Sequence, residues 1–178
     1  MSGTNESIHV LLGLTEWCLS KNVKELSIFA WSTENWTRPQ REIKYAMTQL
    51  QQQLQRWIDT PDHRFSFTFV SSTIQQIPLP ILQQMKTLQT ATDNDSLLRI
   101  YIYISYGFKE GCIAEPRYKQ DPDLLVRTSG EQRLSNFCMG NLTYTELLFI
   151  EPLFPECTAE TWDMCMAEFT SRHRRHGN

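Results

Sequence analysis

The sequence has no basic surplus, no long apolar run and no paired-cysteine motif, and each absence removes a class of function. Its 178 residues carry 17 Lys and Arg against 20 Asp and Glu, a net charge of −3. General nucleic-acid binders need a basic surface to neutralise phosphates, so no nucleic-acid partner is expected. No apolar stretch approaches the roughly 20 residues that span a bilayer, and the first residues lack a charged segment followed by an apolar one. Any membrane contact is therefore expected to be peripheral. The five cysteines, Cys18, Cys112, Cys138, Cys157 and Cys165, show no C-x-x-C spacing. Neither a zinc site nor a disulfide framework is favoured, and a reducing, cytoplasmic location is the simplest reading. Internal repeats, low-complexity tracts and interdomain linkers are missing too.

What is present suits one globular domain, since 40% hydrophobic and 11% aromatic residues can build a sizeable core. Apolar residues crowd Ile8 to Leu19 without strand alternation, which predicts a largely buried helix closed by Lys21-Asn22. Glu25 to Trp31 reads as a buried strand. Thr37, followed by Pro39 and Gln40, has the pattern of a capping box. Behind it Ile43, Met47, Leu50, Leu54 and Trp57 mark the clearest amphipathic helix in the chain. Phe65, Phe67 and Phe69 alternate as in a strand covered on one face. A helix from Pro80 to about Thr90, strands at Leu97–Ser105, Asp123–Arg127 and Leu147–Ile150, and a last helix at Thr161–Arg174 follow. Strands alternating with helices imply an α/β fold whose central sheet is mostly parallel and flanked by helices. If Leu97–Ser105 and Asp123–Arg127 share that sheet, Tyr106 to Pro122 must form the crossover. That stretch is short, lacks helical periodicity and contains Pro116.

Three segments carry residue types suited to chemistry. Ser32-Thr33-Glu34-Asn35-Trp36-Thr37-Arg38-Pro39 lies between a strand end and a helix start, where open α/β sheets bind ligands. A capped loop with Trp36 in the core explains it equally well. In the stretch from Asp121 to Phe137, Arg127 stands at a strand end, Thr128-Ser129-Gly130 follows, and Arg133 and Ser135 are close behind. Guanidinium forks, hydroxyls and backbone N–H groups together suit a diphosphate. The structural alternative pairs the arginines with Asp121, Asp123 or Glu131. Glu146, a lone carboxylate at the head of an apolar strand, has the hard oxygens that Mg²⁺ takes beside substrate phosphates, although a surface role is the commoner one. Basic residues also gather at Arg172, Arg174 and Arg175.

Two long ordered stretches, FAWSTENWTRP and DPDLLVRTSGEQRLSNF, resemble segments of the cis-prenyltransferase family, as do YTELLFIEPLFP and the terminal RRHG. The resemblance implies condensation of isopentenyl diphosphate with an allylic prenyl diphosphate to a (Z)-polyprenyl diphosphate. It places Arg127, Arg133 and Ser135 on the diphosphate of isopentenyl diphosphate and Glu146 on Mg²⁺. Asn35 falls on the position that assists proton removal, and Ser32, Thr33, Glu34, Trp36 and Arg38 on positions that line the site or order its loop. Arg175 and Gly177 match an Arg-x-Gly motif that reaches a partner subunit's active site, so a homodimer is expected, or a heteromer with a second subunit.

The sequence departs from the family in two places. No segment corresponds to the first strand and the Asp-Gly-Asn-x-Arg loop that binds the allylic diphosphate, and the connection after Gly107 is shorter than the family's. The expectation is a single domain over residues 1–178 without that strand, that loop and part of that connection, either because stretches of the natural chain are omitted or because the homologue is degenerate. Gln132 stands where some members have histidine. Two other functions on the same scaffold stay open: a non-catalytic partner subunit, and a synthase that branches or cyclises short prenyl diphosphates.

Overall fold

The computed structural model describes residues 3–92, 96–111 and 121–174, with side chains from residue 6. They fall into two compact units, one of Cys18–Gly111, the other of Met1–Trp17 with Cys112–Asn178. The architecture is α/β, and every strand pairing among the described residues is parallel.

In the unit Cys18–Gly111, β1 (Glu25–Ser32), β2 (Phe65–Val70) and β3 (Leu98–Tyr106) form a sheet in the order β1-β3-β2. The middle strand has the densest run of β-branched and aromatic residues, and all of it except Arg99 is buried. Among the described strands β1 lies at an edge, which corrects the expectation of burial. Only Trp31 along it is buried, because an edge has a neighbour on one side only. At the N-terminal end of the pairing, Glu25 lies opposite Arg99 and the two form a 2.5 Å ion pair. At the C-terminal end the register slips on either side of Trp31, a bulge that bends the strand just before its loop. In β2, Ser66 is buried beside the phenylalanines and its hydroxyl bonds that of Ser96 at 2.7 Å.

Two helices complete this sheet. α2 (Gln40–Asp59) buries Ile43, Met47, Gln53 and Leu54, and carries Glu42 in its first turn and Arg56 in its last, the signs its dipole favours. α3 (Leu79–Ala91) starts on Pro78 and Pro80 and buries Ile81, Met85 and Leu88. A single turn, α4 (Phe108–Gly111), follows β3.

In the other unit, β4 (Leu124–Arg127) and β5 (Glu146–Phe149) pair with each other. β3 and β4 thus belong to different sheets, and the crossover within one sheet that the sequence seemed to require is not needed among the described strands. The segment suspected of being too irregular, residues 112–120, lies outside the described residues. α5 (Ala159–Ser171) buries Thr161, Trp162 and Cys165, and its Asp163 accepts a 3.0 Å bond from Trp17 Nε1. Trp17 belongs to α1 (Gly3–Ser20), which is less buried than its composition suggests: Leu14, Thr15 and Cys18 are covered, while Leu12 is exposed. Asn22, at φ +58°, ends α1 in the left-handed conformation that asparagine tolerates.

Candidate active site

Within the unit Cys18–Gly111, the C-terminal edge of the sheet is built from three loops held by one serine. Ser105, at the end of β3, has no exposed surface and a φ of +53°. Its carbonyl accepts the backbone N–H groups of Ser72 and Thr73, both at 3.1 Å, which fixes the loop after β2. Its hydroxyl accepts a 2.8 Å bond from Trp36 Nε1 and lies 2.6 Å from the Thr73 hydroxyl. One residue thereby ties the loop after β1 to the loop after β2.

The loop after β1 is a 3₁₀ turn, Thr33–Thr37. Its cap is not the one expected. Thr37 donates its hydroxyl to the Glu34 carbonyl at 2.8 Å, and α2 begins after Pro39 instead. The turn is closed by Asn35, whose Oδ1 accepts the Ser32 backbone N–H at 2.9 Å. With its oxygen committed, the Asn35 amide is fixed in orientation and has N–H donors left to offer. Thr33 donates to the Glu34 carboxylate at 3.1 Å. Trp36 meets Trp31 edge to face at 5.5 Å, and the Arg38 guanidinium lies 5.7 Å from the Trp31 ring centre, a cation–π stack. Ser32 through Arg38 therefore form one ordered cluster, in which Trp36 is half-buried and not part of the core. At the same sheet edge Trp31 Nε1 and Ser71 Oγ are buried without a hydrogen-bond partner among the described residues. Such orphaned groups are uncommon and mark where a further polar group fits.

In the other unit, the segment after β4 is an irregular loop held by backbone bonds. Ser129 and Gly130 donate N–H groups to the carbonyls of Pro152 and Ile150 at 2.8 and 2.9 Å, so this loop is clamped to the one after β5. Ser129, Gly130, Ser135, Asn136 and Cys138 all have positive φ. Non-glycine residues in that region are strained and gather where a loop must hold an unusual shape. At Gly130, φ +68° would strain any L side chain, and an added Cβ would displace the Glu151 carboxylate, whose Oε2 would lie 2.7 Å away.

The two arginines differ. Arg133 is exposed and pairs with Glu131, as the structural alternative for it held. Arg127 is half-buried at the end of β4 and pairs with no described carboxylate. Asp121 is engaged by the Tyr144 backbone N–H at 2.9 Å, and Asp123 lies 3.7 Å from Arg174. Ser135 is exposed on the same loop. Glu146 opens β5 opposite Leu124, whereas Arg127 lies opposite Phe149. Three residue steps, about 10 Å, separate the two along the strands. Glu146 is half-buried, and its Oε2 accepts a 2.9 Å bond from Arg172.

Among the described residues no three His, Cys, Asp or Glu side chains gather as a metal cage. Arg175 and Gly177 lie outside the described residues. Sequence reasoning missed Ser105 and Thr73, whose only signal was a polar run after a strand. It also missed the pairing of Arg172 with Glu146. No helix among the described residues is long and apolar enough to cross a membrane.

Comparisons with known proteins span both clusters. The model of a family described as "Putative undecaprenyl diphosphate synthase" matches residues 1–117 and 109–177. Over 191 residues the chain is 30% identical to a ditrans,polycis-undecaprenyl-diphosphate synthase, (2E,6E)-farnesyl-diphosphate specific, from Legionella pneumophila, a match covering 90% of this chain and 79% of the relative. Over 203 residues it is 28% identical to an isoprenyl transferase of Aquifex aeolicus, covering 99% of this chain and 86% of that one. Its fold is similar to the crystal structure of a "probable undecaprenyl diphosphate synthase" from Campylobacter jejuni, with a TM-score of 0.84 at 25% identity over 98% of this chain and 93% of that one.

Proposed function

The chain belongs to the cis-prenyltransferase family, and from that premise we propose how its own residues serve the condensation of isopentenyl diphosphate with an allylic prenyl diphosphate. The activity is that of a prenyltransferase making a (Z)-polyprenyl diphosphate. The observation that carries the assignment of roles is Arg127: a half-buried guanidinium without a described carboxylate partner, at a strand end, followed by a clamped loop of hydroxyls. A cation in that setting is short of an anion, and the diphosphate of isopentenyl diphosphate supplies one. Arg133 and Ser135, exposed on the same loop, reach the remaining oxygens, Arg133 by exchanging Glu131 for phosphate.

Glu146 suits Mg²⁺ as a hard oxygen donor, since one of its two oxygens is engaged by Arg172 and the other is left to offer, with no cage of three or more ligating side chains among the described residues. Mg²⁺ bound by one or two carboxylates takes its other ligands from phosphate and water, and when bound it neutralises charge on the departing diphosphate. Asn35 acts as a donor that orients the group receiving the proton lost in the condensation, because its oxygen already holds Ser32. Trp36 and Arg38 keep its turn in place, and Ser32, Thr33 and Glu34 complete the loop wall. Arg175 and Gly177 are assigned to a partner subunit's site, which makes a homodimer the working assembly, in the cytoplasm and at most peripheral to a membrane.

Incubating the purified chain with Mg²⁺, farnesyl diphosphate and labelled isopentenyl diphosphate should yield elongated products with new Z double bonds. Absence of any elongated product would overturn the assignment, and mass spectrometry separates extended products from branched or cyclic ones.

A further inference from the structure

Arg172 caps α5, and its guanidinium is held by three acceptors. Nη1 donates to Glu146 Oε2 at 2.9 Å and to the Leu147 carbonyl at 3.0 Å, and Nε donates to Glu168 Oε1 at 3.2 Å. Two of the three acceptors do not depend on Glu146. The charge therefore stays beside the head of β5 whichever way the Glu146 carboxylate turns. The side chains of Arg172 and Glu146 are 27% and 26% exposed, so solvent screens their interaction only in part. Arg174 lies nearby on the same terminal stretch, stacked at 4.6 Å over Phe169 and 3.7 Å from Asp123. The Asp123 carbonyl in turn accepts the Glu146 N–H at 3.1 Å.

We propose that Arg172 is the resident counter-ion of Glu146 and sets its affinity for divalent cations, so that metal binds there weakly until a diphosphate accompanies it. The inference rests on the reading of Glu146 as a metal-ligating carboxylate. A guanidinium keeps its charge at any working pH and cannot step aside by losing a proton. An incoming dication thus gains the attraction of Glu146 but meets the repulsion of Arg172 a few ångströms further on. A diphosphate changes the balance, because its several negative oxygens outweigh one guanidinium and complete the metal's coordination. Removing Arg172 also lets the Glu146 side chain turn more freely. That loss of orientation is smaller than the effect of deleting a full charge at this range.

Manganese titration followed by electron paramagnetic resonance tests this on the full chain, with Mn²⁺ alone and with Mn²⁺ plus inorganic diphosphate. Arg172→Gln should bind Mn²⁺ about three- to tenfold more tightly than the wild type without diphosphate. The gain should vanish in the Arg172→Gln/Glu146→Gln double variant and shrink when diphosphate is saturating. Arg172→Lys, which keeps the charge, should stay near the wild type. Arg172→Met replaces the Gln variant if circular dichroism shows the latter unfolded. Unchanged or weaker Mn²⁺ binding by the uncharged variant overturns the counter-ion role. If Glu146→Gln still weakens diphosphate-dependent binding in that case, the metal reading of Glu146 survives. If Glu146→Gln changes neither titration, both fall.

Discussion

Gly130 and Arg127 show how differently single residues contribute to one loop. At Gly130 the constraint is steric: a β-carbon would be strained at φ +68° and would press on the Glu151 carboxylate. Gly130→Ala should lower the stability of the folded chain by about 1–3 kcal/mol, read from urea unfolding midpoints, and should impair substrate binding because the clamped loop shifts. At Arg127 the constraint is electrostatic. The side chain has no described carboxylate partner to lose, so its truncation should leave the unfolding midpoint nearly unchanged. Arg127→Ala should instead weaken isopentenyl diphosphate binding by about 2 kcal/mol or more, roughly thirtyfold, seen as a raised KM for that substrate. An unaltered KM would remove Arg127 from the diphosphate cradle. The two variants together separate holding the loop from gripping the anion.

The elements show the same division between packing and presentation. α2 has its apolar positions at four- and three-residue intervals and buries Ile43, Met47 and Leu54, with Leu54 wholly inaccessible. Leu54→Ala leaves a cavity in a close-packed core and should cost about 2–5 kcal/mol in chemical unfolding. Ile81 and Met85 of α3 are buried as well. The cap of α2 was misplaced because the local pattern Thr37-x-Pro39-Gln40 is genuine cap chemistry. A competing arrangement wins: Asn35 folds back on the Ser32 N–H and spends those residues on a 3₁₀ turn. That turn is shaped by contacts outside itself, above all the bond from Trp36 to Ser105, 69 positions along the chain. β5 opens with Glu146 and not with an apolar residue, and it is this position that brings the carboxylate within reach of Arg172.

Across the molecule, the described cysteines are free, buried thiols. Cys18, Cys138, Cys157 and Cys165 are unbridged, while Cys112 lies outside the described residues. Burial pushes the Cys18 thiol up to about 12 and raises those of Cys157 and Cys165 as well. A buried thiol is easier to ionise once the chain unfolds, where its pKa returns to about 8.5. The stabilising contribution is therefore complete below about pH 8.5 and declines as pH rises from there through the folded-state values. Thermal unfolding measured from pH 7 to 10 should show this alkaline loss, and Cys18→Ala should reduce it. In the native state Cys18 should react with thiol reagents far more slowly than in denaturant.

Much about this protein was local and therefore legible from the chain alone. The periodicity of α2 and the strand character of β3 are properties of neighbouring residues and pointed to an α/β fold, while the order of residues from Arg127 to Ser135 carried part of the resemblance to the cis-prenyltransferase family. The segment from Ser32 to Arg38 was readable as a candidate site for the same reason. What depended on distant partners was not legible. That β3 is the central described strand, that Ser105 ties two loops together and that Arg172 sits on Glu146 all require elements to meet across the fold. Residue types and spacing govern which contacts are chemically suitable. Which of the suitable contacts form is decided by packing, because each acceptor can be satisfied by only a few donors and burial selects among them.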